Sequence, residues 1–289
     1  MPELPEVEVV KRSLKKKIQN LIIKNVKIQD GNLRYKVLRS QISKLIGKKI
    51  KKIERRSKFL IFKIDSDLKM LVHLGMTGKF FFINKDSKKF KTSFYYDLNK
   101  KKDQKYDRVI FILQDKQKLI YNDVRKFGFI KIFKNKEFQN NSHLNKLGPE
   151  PLEKNFNFHY MKSYISKRNR TTKDILMDQK CVSGLGNIYV NEILFLSRIK
   201  PTRKVSKIKD IEIDRIIKNT KKVLKSSIKM GGSSIKDFSS DNGKKGLFQR
   251  QFKVYGRKGK KCSNRDCNQI ILKTVISNRA SFFCKSCQK

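Results

Sequence analysis

Acidic residues are scarce in this chain: Asp and Glu total 25 against 71 Lys and Arg, which gives a formal net charge of +46 over 289 residues. Solubility needs far less. A single-sign excess of this size sets up a field of several kT around the molecule and selects a polyanionic partner, nucleic acid first and an anionic membrane surface second. Lys, Ile and Asn are all abundant, as drift of genomic composition also produces, so not every charge need serve binding. Long apolar runs are missing as well, none approaching the roughly 18 residues of a membrane span. The first residues carry Glu3, Glu6 and Glu8 where a secretory signal would be basic and then apolar. The chain is therefore expected in the cytoplasm, at the nucleoid, and not in a membrane. Cysteine is nearly absent until the end, Cys181 being the only one before residue 262, so no disulfide framework spans the body of the protein. No internal repeat is visible. What is present suffices for a core: hydrophobic residues make up 38% and aromatics 10%, enough for two domains of ordinary size at this length.

The remaining cysteines, Cys262, Cys267, Cys284 and Cys287, read C-x4-C, sixteen residues, C-x2-C. Two ligand pairs on two short hairpins around one tetrahedral metal give this arrangement, a zinc ribbon with one structural Zn²⁺. Two disulfides or free thiols would fit the same spacing, but a segment this short has little core without a metal. Cys181 is expected to be a buried small apolar residue.

Val7, Val10, Leu14, Ile18 and Leu21 step by three and four, which predicts an amphipathic helix with Glu3 and Glu6 at its positive end. From Ile50 to Phe133 the pattern changes to short apolar and aromatic runs at 59–64, 70–74, 79–83, 109–113, 119–121 and 129–133, which predicts a β-sandwich. Residues 84–105 read as a long exposed loop. Gly148, Pro149 and Pro151 mark 134–154 as a linker. Helical spacing returns at Ile175 and Leu176, breaks at Gly184-Leu185-Gly186-Asn187, and resumes from Ile188 to Leu196. A further helix is expected over 211–230, stopped by Gly231-Gly232, and 237–250 read as loop.

Several ordered segments resemble formamidopyrimidine-DNA glycosylase over essentially the whole chain. They are P-E-L-P-E-V-E at 2–8, R-R-S-K-F-L at 55–60, H-L-G-M-T-G at 73–78, R-K-F-G at 125–128, L-G-P-E-P-L at 147–152, G-L-G-N-I-Y at 184–189, V-Y-G-R-K-G at 254–259 and R-A-S-F-F-C at 279–284. The related endonuclease VIII group would be expected to read P-E-G-P-E at the start, so Leu4 points to the oxidised-purine branch. The resemblance implies an α+β protein. It comprises an N-terminal catalytic β-sandwich with flanking helices (2–133), the linker, a helix-two-turn-helix DNA-binding region (155–250) and the zinc ribbon (251–289).

It further implies a monomeric bifunctional DNA glycosylase and abasic-site lyase acting on duplex DNA with damaged bases. Removal of the initiator methionine would leave Pro2 a free secondary amine, a nucleophile able to form an iminium at the sugar carbon. Glu3 would be the proton donor, Lys58 would assist β-elimination, and Arg279 would serve δ-elimination and phosphate contact. Met76, Arg125 and Phe127 resemble the side chains that the family pushes into the duplex when a base is extruded. Asn187 resembles a phosphate binder at a helix start. At two phosphate-contact positions the chain departs from the family, with Tyr106 where a histidine is expected and Asn169, beside Arg170, where a basic residue is expected. The competing readings are an endonuclease VIII-like enzyme for oxidised pyrimidines and a non-catalytic, zinc-containing nucleic-acid binder.

Overall fold

Pro5 pre-sets the first turn of α1 (Leu4–Ile18), and Glu3 ahead of it is the N-cap. Val7, Val10, Leu14 and Ile18 are all buried, as their spacing requires. The helix ends before Leu21 because Gln19 turns extended and Asn20 takes a positive φ of 70°. The structure, a computed structural model, describes residues 1–86, 88–91, 104–233 and 247–289. It divides into two units, Met1–Asn145 with Gly231–Gly246, and Lys146–Met230 with Leu247–Lys289.

The first unit continues with β1 (Ile23–Ile28), α2 (Arg39–Ile42), β2 (Ile50–Arg56), β3 (Phe59–Ile64), β4 (Leu68–His73), β5 (Lys79–Ile83), β6 (Lys89–Lys91), β7 (Asp107–Leu113), β8 (Lys118–Asn122), β9 (Phe129–Lys134) and α3 (Asn135–Gln139). All pairings are antiparallel, in two sheets ordered β1-β7-β8-β5-β6 and β2-β3-β4-β9. Leu60, Phe62 and Ile64 from one sheet share a core with Phe80, Phe82, Val109 and Phe111 from the other, so the sandwich is as expected. Alternation sends Ile61 to the outer face of its sheet, where it joins Leu71 and Phe129 beneath Phe138 and Leu144. That apolar outer face is why part of 134–154, read as linker, folds as α3. β6 likewise falls inside the stretch read as loop, of which residues 87 and 92–103 lie outside the described residues. So does most of the loop expected at 237–250.

The second unit contains α4 (Phe158–Ile165), α5 (Thr172–Met177), α6 (Asn187–Leu196), α7 (Asp210–Lys229), β10 (Ile271–Ile276) and β11 (Arg279–Cys284). Apolar nearly all round, α6 is buried from Ile188 to Phe195. The amphipathic α7 buries Ile213, Ile216, Val223 and Leu224. Strands β10 and β11 form a hairpin through Ser277 and Asn278, both at positive φ, as a two-residue turn of this hand demands. The carboxylate of Glu192 in α6 accepts the backbone N–H groups of Lys253, Val254 and Tyr255 at 2.8–3.0 Å. Asn191 Oδ1 accepts that of Phe282 at 2.6 Å, which fixes the hairpin to the helix. Cys181 is fully buried, its Sγ 3.8 Å from Met161 Sδ, and burial pushes its thiol up to about 12. Among the described residues no helix is long and apolar enough to cross a membrane.

Candidate functional site

In the first unit, Pro2 is buried and Glu3 is 4% exposed. The Glu3 N–H donates to Glu6 Oε2 at 2.9 Å, while Glu6 Oε1 accepts both the N–H and the hydroxyl of Ser233 at 2.8 and 3.0 Å. Gly232, at φ 83°, comes so close that a Cβ there would lie 3.0 Å from Glu6 Oε1. Burial pushes the Met1 ammonium below its usual range; Glu3 and Glu6 oppose this, and Lys58 and Arg125 add to it. A Pro2 amine freed by loss of Met1 would lie one residue further into this corner, where burial favours the neutral form that can attack carbon. Lys58, 7% exposed, follows Ser57, whose positive φ of 56° turns β2 into β3. Arg55 fixes that turn by donating to the Ser57 carbonyl at 2.9 Å while its Nε pairs with Glu8 at 3.0 Å.

Two turns flank this corner. His73, at the end of β4, accepts the Gly75 N–H on Nδ1 at 3.0 Å and stacks on Phe129 with centroids 5.7 Å apart. Burial, with Lys58, Arg34 and His143 adding to it, lowers the His73 pKa to about 4, so the ring is neutral and free to accept at physiological pH. Met76 beyond it is 38% exposed, and Phe127 on the second turn 46%. The Arg125 guanidinium lies over the Phe127 ring at 4.6 Å. A cavity of about 550 Å³ is lined by Met1, His73, Met76, Arg125 and Phe127 among others. Tyr106 lies at the foot of the second turn, its carbonyl accepting the Asp123 N–H at 3.1 Å.

In the second unit, Lys173 is 1% exposed and donates to the Arg279 and Ala280 carbonyls and the Ser281 hydroxyl at 3.4, 2.9 and 2.6 Å. Burial, with Arg279 adding and Asp174 opposing, lowers its pKa to about 8. These bonds fix the start of β11, from which the Arg279 side chain is exposed. Asn187, in the first turn of α6 behind the Gly186 cap, donates to the Ala280 carbonyl at 3.0 Å. Lys146, Arg170, Lys173, Lys180 and Arg279 give a cavity of about 580 Å³ a basic lining. Asn169 is exposed, with its carbonyl accepting Lys204 Nζ at 3.1 Å, and is not among the residues lining that cavity. Arg170 beside it is paired with Asp178 at 2.7 Å.

Cys262, Cys267, Cys284 and Cys287 bring their Sγ atoms within 4.8 Å of one another, with 3.8 Å between Cys262 and Cys287 and 3.6 Å between Cys267 and Cys284. Zinc–sulfur bonds of about 2.3 Å demand tetrahedral edges of about 3.8 Å, so four thiolates placed this way fit one Zn²⁺.

The site residues named from the sequence thus gather in two places. Pro2, Glu3, Lys58, Met76, Arg125 and Phe127 lie in the first unit; Asn187, Arg279 and the cysteines lie in the second. The sequence reading names neither His73 nor Lys173 as a site residue, and takes Glu6 as a helix-terminus residue with at most a positioning role. His73 sits inside H-L-G-M-T-G, which was a usable signal. Lys173 had none, being one of many lysines.

Comparison with known proteins matches residues 1–130 to the formamidopyrimidine-DNA glycosylase N-terminal domain and residues 147–239 to the formamidopyrimidine-DNA glycosylase H2TH domain. A formamidopyrimidine-DNA glycosylase of Rickettsia massiliae (strain Mtu5) is 40% identical over 288 residues, spanning 100% of this chain and 97% of the relative. One from Roseobacter denitrificans (strain ATCC 33942 / OCh 114) is 36% identical over 289 residues, 100% of each. Among solved structures, Lactococcus lactis Fpg in complex with DNA containing an abasic site aligns with a TM-score of 0.83 at 33% identity over 99% of both chains. An L. lactis variant bound to Fapy-dG-containing DNA gives 0.84 at 32% over 100% of both.

Proposed function

The chain belongs to the formamidopyrimidine-DNA glycosylase family, and on that premise we propose that it removes oxidised purines, 8-oxoguanine and formamidopyrimidines, from duplex DNA and then cleaves the abasic site. The observation that carries this reading is the corner in which Pro2, Glu3 and Lys58 are all buried, next to a Met1 amine whose pKa is pushed down. Pro2, freed of Met1, attacks the sugar C1′. The glycosidic bond breaks, the base departs with the bonding pair and takes up the proton lost by the Pro2 nitrogen, and the nitrogen and C1′ form an iminium as the bond from C1′ to the ring oxygen breaks. Glu3 gives its proton to the ring oxygen as the sugar opens. With the iminium as electron sink, C2′ loses a proton, the C2′–H pair becomes the C2′–C3′ double bond, and the 3′ phosphate departs with the C3′–O pair in this β-elimination, which Lys58 assists by holding the phosphate. Arg279 supports the second, δ-elimination by binding the 5′ phosphate in its bidentate fork.

Met76, Arg125 and Phe127 fill the gap left by the extruded nucleotide. Arg125, a donor fork, suits the acceptors of an orphaned cytosine, whereas adenine offers an amino donor at the corresponding edge, so excision opposite cytosine exceeds excision opposite adenine. Tyr106, Asn187 and Asn169 contribute phosphate contacts that set register. Zinc held by the four cysteines supplies the ribbon's folding energy. The corresponding division is a catalytic domain at 2–133, a helix-two-turn-helix domain at 155–250 and a ribbon at 251–289. The enzyme works as a single chain in the cytoplasm at the nucleoid.

Borohydride trapping on a duplex carrying 8-oxoguanine opposite cytosine tests the proposal. A covalent protein–DNA adduct is expected. DNA binding without any adduct would overturn it in favour of a non-catalytic binder, and faster excision of oxidised pyrimidines would move the chain to the endonuclease VIII group.

A further inference from the structure

Met76 and the Arg125–Phe127 tip come from turns far apart in sequence, one after β4 and one before β9, yet their backbones abut. A Cβ on Gly75 would lie 2.4 Å from Gly128 N, and one on Gly128 would lie 2.6 Å from the His73 carbonyl oxygen. Between the turns sits Asp123, fully buried. Its Oδ1 accepts the Thr77 hydroxyl at 2.5 Å and its Oδ2 accepts the Gly128 N–H at 2.8 Å. The Thr77 hydroxyl in turn accepts the Arg125 N–H at 3.0 Å. Asp123 is itself anchored, its N–H donating to the Tyr106 carbonyl at 3.1 Å and its carbonyl accepting Arg108 Nε at 2.8 Å. Arg108 continues to Asp30 at 2.7 Å, and the same Asp30 oxygen takes Lys126 Nζ, from the middle of the tip, at 2.8 Å.

We infer that Thr77 and Asp123 are positioning residues that clamp the two turns into one wedge, so that Met76, Arg125 and Phe127 enter the duplex together at fixed spacing. Hydrogen bonds to a carboxylate are roughly twice as strong as neutral ones, and this one accepts from both turns at once. Left unclamped, each turn would have to be ordered separately when the duplex is opened, and Arg125 would meet the orphaned base from a spread of positions. The clamp touches no reacting atom; it acts through Arg125. The inference rests on the reading of the three side chains as the inserted ones.

Thr77→Val keeps the branched shape and removes both the donor and the acceptor, while Thr77→Ser keeps the hydroxyl. The readouts are single-turnover excision opposite cytosine and opposite adenine, strand cleavage at a pre-formed abasic site, and thermal unfolding. Thr77→Val is expected to lower the cytosine-over-adenine ratio by about tenfold, the effect of losing a charge-assisted bond. Cleavage at the abasic site should stay near wild type, and Thr77→Ser should restore the ratio. A wild-type ratio in Thr77→Val, or an unrestored ratio in a fully folded Thr77→Ser, overturns the clamp. If Thr77→Val does not fold, Thr77→Ala removes the hydroxyl without the added methyl and is read by the same criteria. Arg125→Ala separates the two levels. Loss of the ratio there without loss in Thr77→Val removes the clamp alone, and a wild-type ratio in Arg125→Ala removes the reading beneath it.

Discussion

Pro2 is the residue on which the proposed chemistry turns, and its environment gives it a pH signature. Burial depresses the pKa of the Met1 amine, and a Pro2 amine freed in the same buried corner would likewise stay neutral above its lowered pKa and lose its nucleophile only as pH falls through it. Trapping should therefore persist below the ordinary α-amino range near 8, with its acid limb shifted downward; an acid limb at or above 8 would contradict the buried corner. Pro2→Gly keeps an amine but loses the ring that fixes its direction. Since a misplacement of about 1 Å can cost about 10²-fold, trapping and excision should fall by at least that much while binding to undamaged DNA survives. Wild-type trapping by Pro2→Gly, or an intact mass including Met1 on active protein, would rule out this nucleophile. Pro2, Glu3 and Lys58 can be proposed from the sequence because each lies within a short contiguous motif. The contact of Glu6 with Ser233 cannot, because it joins positions 227 apart and nothing local to either residue encodes it.

At the level of elements, the ribbon is the part least able to stand alone. Its buried apolar side chains are few, with Val254, Ile271 and Phe282 packed beside Phe195 and the metal-site cysteines. Removing the metal with a chelator, or by Cys284→Ser, should abolish DNA binding while circular dichroism of the sandwich and its cooperative melting remain. Normal DNA binding by metal-free protein would show that the ribbon is not a DNA element. Glu192→Ala should act on the same element from the helix side, since it leaves the buried N–H groups of residues 253–255 without their carboxylate. A loss of about 2–4 kcal/mol in thermal or denaturant stability is expected, and less than about 0.5 would contradict the latch. Periodicity found β3, β4, β5, β7, β8 and β9 and helices α6 and α7 because their burial is one-sided or continuous. It missed β1, whose run Ile-Lys-Asn-Val-Lys-Ile is largely solvent-facing at a sheet edge. It also missed α3, which forms because a distant sheet offers Phe138 an apolar face.

For the molecule as a whole, the charge of +46 can act in two ways that salt distinguishes. Lys and Arg that touch phosphates release condensed counterions, and each contributes about 0.9 to the slope of log K against log salt. The others only add to the long-range field, which raises the association rate and is screened within about 10 Å at 0.1 M salt. A duplex engaged through about 6–10 phosphates should thus lose roughly 10³–10⁵ in affinity between 50 and 200 mM salt. The slope should stop far short of the value that all the excess charge would give, because many exposed lysines, Lys24 and Lys27 of β1 among them, are not residues assigned to DNA. Excision measured with every duplex bound should change little over the same range, since the proposed nucleophile Pro2 and proton donor Glu3 lie inside a buried corner that salt barely screens. A slope near zero, or tighter binding to anionic vesicles than to duplex DNA, would return the charge to the membrane surface.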